Sequence, residues 1–265
     1  MVLQELAVGT ACVSGILLVL LRLFSADIYD VVIVWMTARW YAAVFNKLSV
    51  GERVLDVGIG TATALVRNKA LLLEKRLSII GLDYEAAYIR KAEQILSEAG
   101  LRQAVPEGTD GYRPGEFYCR AFHRSIYDED LAVLCEDDPA AATKPVVPVP
   151  EERRFDAAYF SGSLTVMPDP VAALCAVVPL LKSDTGRVYI TQTFNKRKSP
   201  LMGYVKPLLK YITTIDFGQL TTEEDIERII SEAKIFDTVE SAPIKGSLDT
   251  PLQTARLIIL RVKKE

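Results

Sequence analysis

Between Arg53 and Thr63 the chain reads RVLDVGIGTAT. An apolar run through Asp56 into Gly58 and Gly60 is the pattern of a buried parallel strand that turns on glycines into a helix. Glycines let the backbone bend tightly and approach a ligand closely. The helix start that follows, at Thr61 and Ala62, presents unpaired N–H groups. This is a nucleotide-binding strand–turn–helix unit in outline. About twenty-five residues beyond Gly58, a second apolar run, Leu77 to Asp83, ends in another carboxylate. A carboxylate at the end of a second strand can accept hydrogen bonds from both ribose hydroxyls, which makes Asp83 the ribose candidate.

The glycine spacing separates two cofactor classes. A dinucleotide fingerprint needs its third glycine where Thr63 stands. The other pattern, an acidic residue two places before G-x-G-x-G, is met by Asp56, Gly58 and Gly60, with Ala62 in the third glycine's place. On these residues the chain resembles the class I S-adenosylmethionine (SAM)-dependent methyltransferases. The resemblance implies SAM as cofactor and an α/β, Rossmann-like sheet of seven strands in the order 3-2-1-4-5-7-6. It further implies that Tyr84 and Ser161, at the ends of the second and fourth strands, belong to the cofactor site. The loop Arg124 to Asp128 would border the adenine, with Ser125 near the amino group and Ile126 against the ring. The family's usual residue at the Ser125 position is acidic.

The elements that must hold these residues follow in order. A helix is expected over Glu85–Ala99, closed by Gly100, then a third strand over Glu116–Phe122. A fourth strand, Phe155–Ser161, leads to a helix over Val171–Leu181 and a fifth strand over Arg187–Phe194. A capped helix begins near Thr221–Asp225, and Phe236–Ser241 with Ala255–Val262 forms a closing antiparallel hairpin. The stretches F-D-A-x-Y-x-S and L-L-K-x-x-x-G-R-V-x-I match the second half of the family, so the resemblance covers a domain over residues 50–265. Ligands of open α/β sheets sit outside the carboxyl ends of the strands. Leu101–Gly115 and Glu136–Arg154 therefore belong to the opposite rim. The second of these, with Pro139, Pro145, Pro148 and Pro150, reads as an extended insertion.

Two segments precede the domain. Leu6 to Leu21 holds sixteen residues without a charge. As a helix it would be about 24 Å long, slightly short of a ~30 Å hydrocarbon core. Residues 1–25 thus read as a hydrophobic helix, either a membrane anchor or a soluble docking helix. Only Glu5 is charged ahead of the run, which does not fit a cleaved signal peptide. Arg22 behind it places the bulk of the chain, with its catalytic domain, on the cytosolic side of a membrane. Residues 26–49 read as an amphipathic lid or interface helix. Asp27 can cap it, and Val31, Val34, Trp35, Ala38, Ala42 and Phe45 fall at helical steps. Arg39 and Lys47 stand among Trp35, Trp40, Tyr41 and Phe45, a mixture suited to a membrane interface, and a helix packed over the domain fits the same residues. A basic stretch from Asn195 to Tyr211, with Lys196, Arg197, Lys198, Lys206 and Lys210, could meet an anionic bilayer or be a solvated helix with one buried face.

Composition narrows the remaining classes. The 265 residues are 50% hydrophobic and 25% charged, with net charge −3 and a pI near 5.5. That excludes overall disorder and gives no basic surface for nucleic acid. Cys12, Cys119, Cys135 and Cys175 form no CxxC pair and His123 is the single histidine. No metal site is expected, a Ser-His-Asp hydrolase is disfavoured, and reduced thiols in a reducing compartment are expected.

The leading expectation is a membrane-associated methyltransferase whose partner is a small lipophilic acceptor. Tyr29-Asp30 resembles, loosely, the lid segment of quinone- and sterol-type small-molecule methyltransferases. Tyr29, Tyr41, His123, Ser163 and Asp169 are the candidates for a catalytic base. Two other classes stand beside this one. Methylation of a membrane-bound protein is the first, although Ser161-Gly162-Ser163 replaces the Asn-Pro-Pro-Tyr-type motif of amino- and amide-nitrogen methyltransferases. The second is a non-catalytic scaffold that keeps the fold.

Overall fold

Residues 33–102, 117–136, 148–196 and 221–263 are described by the structure, a computed structural model. Four largely buried strands form its centre: β1 (Arg53–Val57), β2 (Ser78–Asp83), β4 (Ala157–Ser161) and β5 (Arg187–Asn195). Strands buried on both faces carry apolar residues at nearly every position, because helices cover each side. β3 (Cys119–His123) adds one edge, and β6 (Phe236–Pro243) with β7 (Gln253–Val262) add the other. The seven-stranded order is β3-β2-β1-β4-β5-β7-β6, as the family resemblance implied. The first five are parallel in their pairings, and β7 is antiparallel to β5 and β6.

Alternation along the strands divides the core in two. Leu55, Val57, Ile80 and Phe160 face α5 (Pro170–Val177) and α6 (Glu223–Ala233). Val54, Ile79 and Tyr159 face α1 (residues 33–47), the short α2 (Thr63–Val66), α3 (Lys69–Glu74) and α4 (Ala86–Glu98). Several boundaries follow the sequence signals. Glu85 caps α4 by accepting Ala87 N–H, Gly100 ends it at φ +66°, and Thr222 with Asp225 forms a capping box for α6.

Two expectations need correction. α5 stops at Val177 rather than Leu181, and Val178–Leu180 is a 3₁₀ turn. Pro179 has no N–H to continue the α-helical ladder. β3 begins at Cys119, with the residue before it, Tyr118, still accepting the Ile79 N–H. Residues 26–49 read in the sequence as a lid or interface helix or as a helix packed over the domain. Their described part, α1, packs into the domain's own core through Trp40, Tyr41, Val44, Phe45 and Leu48. Trp35, from the expected apolar stripe, is exposed. Arg39 and Lys47 serve the domain too. Arg39 lies 4.0 Å from the Trp35 ring centroid and donates to Gly246 O, while Lys47 pairs with Glu240.

The Leu6–Leu21 run, Tyr29 and the basic stretch beyond Lys196 lie outside the described residues. Among the described residues no helix is long and apolar enough to cross a membrane. At the opposite rim, buried Arg53 fixes both ends of the proline-rich insertion. It donates to the carbonyls of Leu134, Cys135, Glu136 and Arg153 and to Tyr118 Oη. Arg153 and Glu136 form an ion pair across the same base.

Candidate functional site

The carboxyl end of β1 turns on Gly58 at φ +84° and Gly60 at φ +58°, and Ala62 at φ +58° starts α2. Gly58 is required by space as well as by φ. A Cβ there would lie 2.6 Å from Ser163 Cβ, whereas one on Gly60 would meet nothing within 4 Å. Ser163 comes from the loop after β4 and donates its hydroxyl to Val57 O. Ile59, between the two glycines, packs on Gly81 of β2, where a Cβ would sit 2.3 Å from Ile59 Cδ1. The I-I-G-L-D run carries the signal for this contact, since glycine inside a strand marks a close approach.

Asp83 closes the turn from the side of β2. Its Oδ2 accepts Gly60 N–H at 3.1 Å and its Oδ1 accepts Glu85 N–H at 2.9 Å. Each carboxylate oxygen has a second lone pair. The group can therefore hold the turn and still accept from two vicinal hydroxyls. Thr61 contributes a hydroxyl 2.8 Å from that of Thr63. Tyr84 is strongly exposed beside Asp83, and its carbonyl meets His123 Nε2 at 2.9 Å.

Asp56 is fully buried on the α1 side of the sheet, in register with Gly81 and Tyr159. Tyr41 Oη donates to Asp56 Oδ2 at 2.5 Å, and Asp56 Oδ1 has no partner among the described residues. Burial pushes the Asp56 carboxyl up from 3.8 to about 7. The Tyr41 hydrogen bond opposes that rise and the negative charge of Asp83 adds to it. Tyr41 itself is pushed well up, first by burial and then by Asp56.

The residues expected on the adenine side sit in different surroundings. Ser125 uses its oxygen to accept Tyr127 N–H, and its N–H goes to Asp128 Oδ2. Ile126 is buried in the core under the loop. Ser161 lies at the end of β4, next to Gly162 at φ +70°. The structure thus gathers Asp56, Gly58, Gly60, Thr61, Ala62, Asp83, Tyr84, Ser125, Ile126 and Ser161 at one rim, formed by the carboxyl ends of β1 to β4.

The described base candidates, Tyr41, His123, Ser163 and Asp169, are also near this rim, but each holds a structural bond. Tyr41 donates to Asp56 and Ser163 to Val57. Asp169 caps α5 by accepting Ala172 N–H. Its backbone N–H and C=O both bond the Tyr127 hydroxyl, at 3.1 and 2.9 Å. Two further residues escaped sequence reasoning because they meet only in space. Trp40 lies 3.1 Å from where a Gly162 Cβ would stand, and Gln192 Oε1, buried and unpartnered, lies 3.9 Å from the same point.

A glycine turn closed by an acidic residue from β2, on a 3-2-1-4-5-7-6 sheet, settles the architecture. The chain has the class I methyltransferase fold. Solved structures agree over most of its length. The [4+2]-cyclase SpnF superposes with a TM-score of 0.57 at 15% identity, covering 86% of this chain and 82% of its own. The mitomycin 7-O-methyltransferase MmcR gives 0.53 at 13% identity, over 87% of this chain and 54% of its own. A SAM-dependent methyltransferase from Aquifex aeolicus gives 0.51 at 14% identity, over 84% and 89%. No family model matches the chain, and no curated protein matches it.

The residues present fit SAM. Among the described residues, Asp83 has acceptor capacity to spare for a ribose, the turn leaves open space at Gly60, and the orphaned buried Asp56 Oδ1 calls for a donor. The methyltransferase fold would hold the cofactor by Asp83, the Gly58–Ala62 turn and Asp56. SAM bound there supplies an electrophilic methyl group.

Proposed function

We propose that the protein is a SAM-dependent methyltransferase, associated with a membrane, that methylates a small lipophilic acceptor. The observation that carries the SAM reading is the Asp83 carboxylate bonded to the Gly60 N–H. It joins the ribose candidate to the glycine turn in one rigid unit. Because an activated methyl needs chiefly an aligned nucleophile and excluded water, the protein's part is positioning. Tyr41, His123, Ser163 and Asp169 stay in their structural bonds, and the reading gives none of them the acceptor's proton.

The acceptor class is supported by where apolar surface remains. Six of the nine large exposed hydrophobics among the described residues lie at the cofactor rim: Trp35, Tyr84, Tyr88, Tyr127, Val166 and Leu252. The apolar Leu6–Leu21 run and the basic stretch beyond Lys196 are joined in sequence to elements of this same rim. A bilayer facing it would deliver a lipophilic acceptor at high local concentration and keep the domain in the cytosol.

The test is methyl-labelled SAM offered with a membrane lipid extract and, separately, with a protein extract. Label in an organic-soluble product supports this reading. Label in protein supports methylation of a membrane-bound partner instead. SpnF, by its description a cyclase on this fold, keeps a third outcome open. SAM binding with no transfer to either extract would mark a protein that uses the fold without methylation.

A further inference from the structure

A helix that precedes the glycine motif by sequence reaches into its first carboxylate. Tyr41, on α1, donates to Asp56 Oδ2, and both groups are fully buried. The Tyr41 ring is held edge-on against Phe45 and against Tyr159 of β4, with centroids 5.6 and 5.1 Å away. Tyr159 in turn bonds Thr191 at 2.9 Å. The phenol is therefore aimed, not merely nearby. Its bond uses one carboxylate oxygen and leaves the other, Oδ1, buried and unpartnered. A buried polar oxygen without a partner costs about 1–3 kcal/mol, so it calls for a partner that arrives later.

We propose that Tyr41 is a positioning residue for the cofactor: it orients the Asp56 carboxylate so that Oδ1 takes the cationic ammonium of the cofactor's amino-acid end, itself or through one water. This rests on the SAM reading above and assigns to α1 a share of the cofactor site. Occupancy of the glycine turn and seating of α1 then become one equilibrium.

The surroundings make the binding proton-linked. The ionisable groups that face Asp56 are Tyr41 from α1, Asp83 from β2, Cys119 from β3 and, behind Tyr41, Tyr159 from β4. Among the described residues they are an acid, a thiol and two phenols, and none of these supplies a positive charge. Before a ligand binds, Asp56 holds its proton up to about pH 7. A bound ammonium favours the carboxylate, so the proton leaves on binding.

The experiment is calorimetric titration of the full chain with S-adenosylhomocysteine, which carries the same ammonium. It is run between about pH 5.5 and 7.5 in two buffers of different ionisation enthalpy, for the native protein and for Tyr41→Phe. The native protein should release a proton below about pH 7, and its affinity should rise with pH and level off near 7. Tyr41→Phe keeps the ring but not the donor. Its affinity at pH 6.5 should fall by about tenfold, and the deficit should narrow as pH rises. A deficit constant with pH would mean lost packing alone and would overturn the proposal. Unchanged affinity in Tyr41→Phe would do the same, as would binding by the native protein without proton release. Absence of any binding by the native protein would instead overturn the SAM reading on which the proposal rests.

Discussion

The Asp83 carboxylate accepts the Gly60 N–H at 3.1 Å, so a single side chain ties the end of β2 to the turn that ends β1. Its second oxygen accepts Glu85 N–H and opens α4. A residue that sequence reasoning assigns to the ribose alone also builds the walls around it.

Asp83→Ala should therefore do two things at once. S-adenosylhomocysteine affinity should fall by about tenfold or more, through loss of charge-assisted bonds. Stability should also fall, by roughly 1–3 kcal/mol, because two backbone donors lose their acceptor. Calorimetry and urea denaturation check the two effects separately. A variant of native stability would show that the turn stands without the carboxylate.

The glycine pair offers a contrast. Gly58→Ala meets both a strained φ and Ser163 Cβ at 2.6 Å, whereas Gly60→Ala meets the strained φ alone. The Gly60 change should cost about 1–2 kcal/mol and the Gly58 change distinctly more. Adding Ser163→Gly should recover part of the Gly58→Ala loss and none of the Gly60→Ala loss. Equal costs in urea denaturation would mean that Ser163 moves aside freely.

Much of this arrangement is legible in the chain because parallel strands buried on both faces must be written as apolar runs. The glycines and carboxylates at their ends stand out against those runs. The face that α1 buries was not legible. Its apolar residues lie all around the helix, from Ile33 to Phe45, so periodicity selects a stripe in which Phe45 is buried, Val34, Ala38 and Ala42 are half-buried and Trp35 is exposed, and it misses Trp40, Tyr41 and Val44. The Tyr41–Asp56, Tyr127–Asp169 and Trp40–Gly162 contacts are likewise set by packing between elements. Nothing in the spacing of these residues announces them.

Asp56 gives stability a pH dependence of definite sign. In the unfolded chain it titrates near 3.8, and in the folded protein near 7. Below about pH 4 both states hold the proton. Between about pH 4 and 7 only the folded state keeps it, so the unfolded state is favoured increasingly as pH rises. Asp56→Asn removes this contribution. Relative to the native protein, its unfolding free energy should climb by roughly 2–4 kcal/mol from pH 4 to pH 7.5. Urea titrations at the two pH values read this directly. Parallel pH profiles for the two proteins would contradict the buried, proton-holding carboxyl.

Arg53 should separate fold from site. Arg53→Met strands the carbonyls of Leu134, Cys135, Glu136 and Arg153 at the rim opposite the glycine turn. A stability loss of about 3 kcal/mol or more is expected. Cofactor affinity, measured well below the new melting temperature, should stay within about twofold. A large affinity loss would mean that the two rims communicate through the sheet.

The central claim, that this rim binds SAM, is tested most directly by thermal unfolding of the full chain with S-adenosylhomocysteine or NAD at matched concentrations. At a hundredfold its dissociation constant a ligand adds about 2.7 kcal/mol to stability, a shift of a few degrees for a chain of this size. The account predicts that shift with S-adenosylhomocysteine, about half of it or less in Asp83→Ala, and no shift with NAD. An unmoved melting temperature at saturating S-adenosylhomocysteine, or an equal rise with NAD, would contradict it.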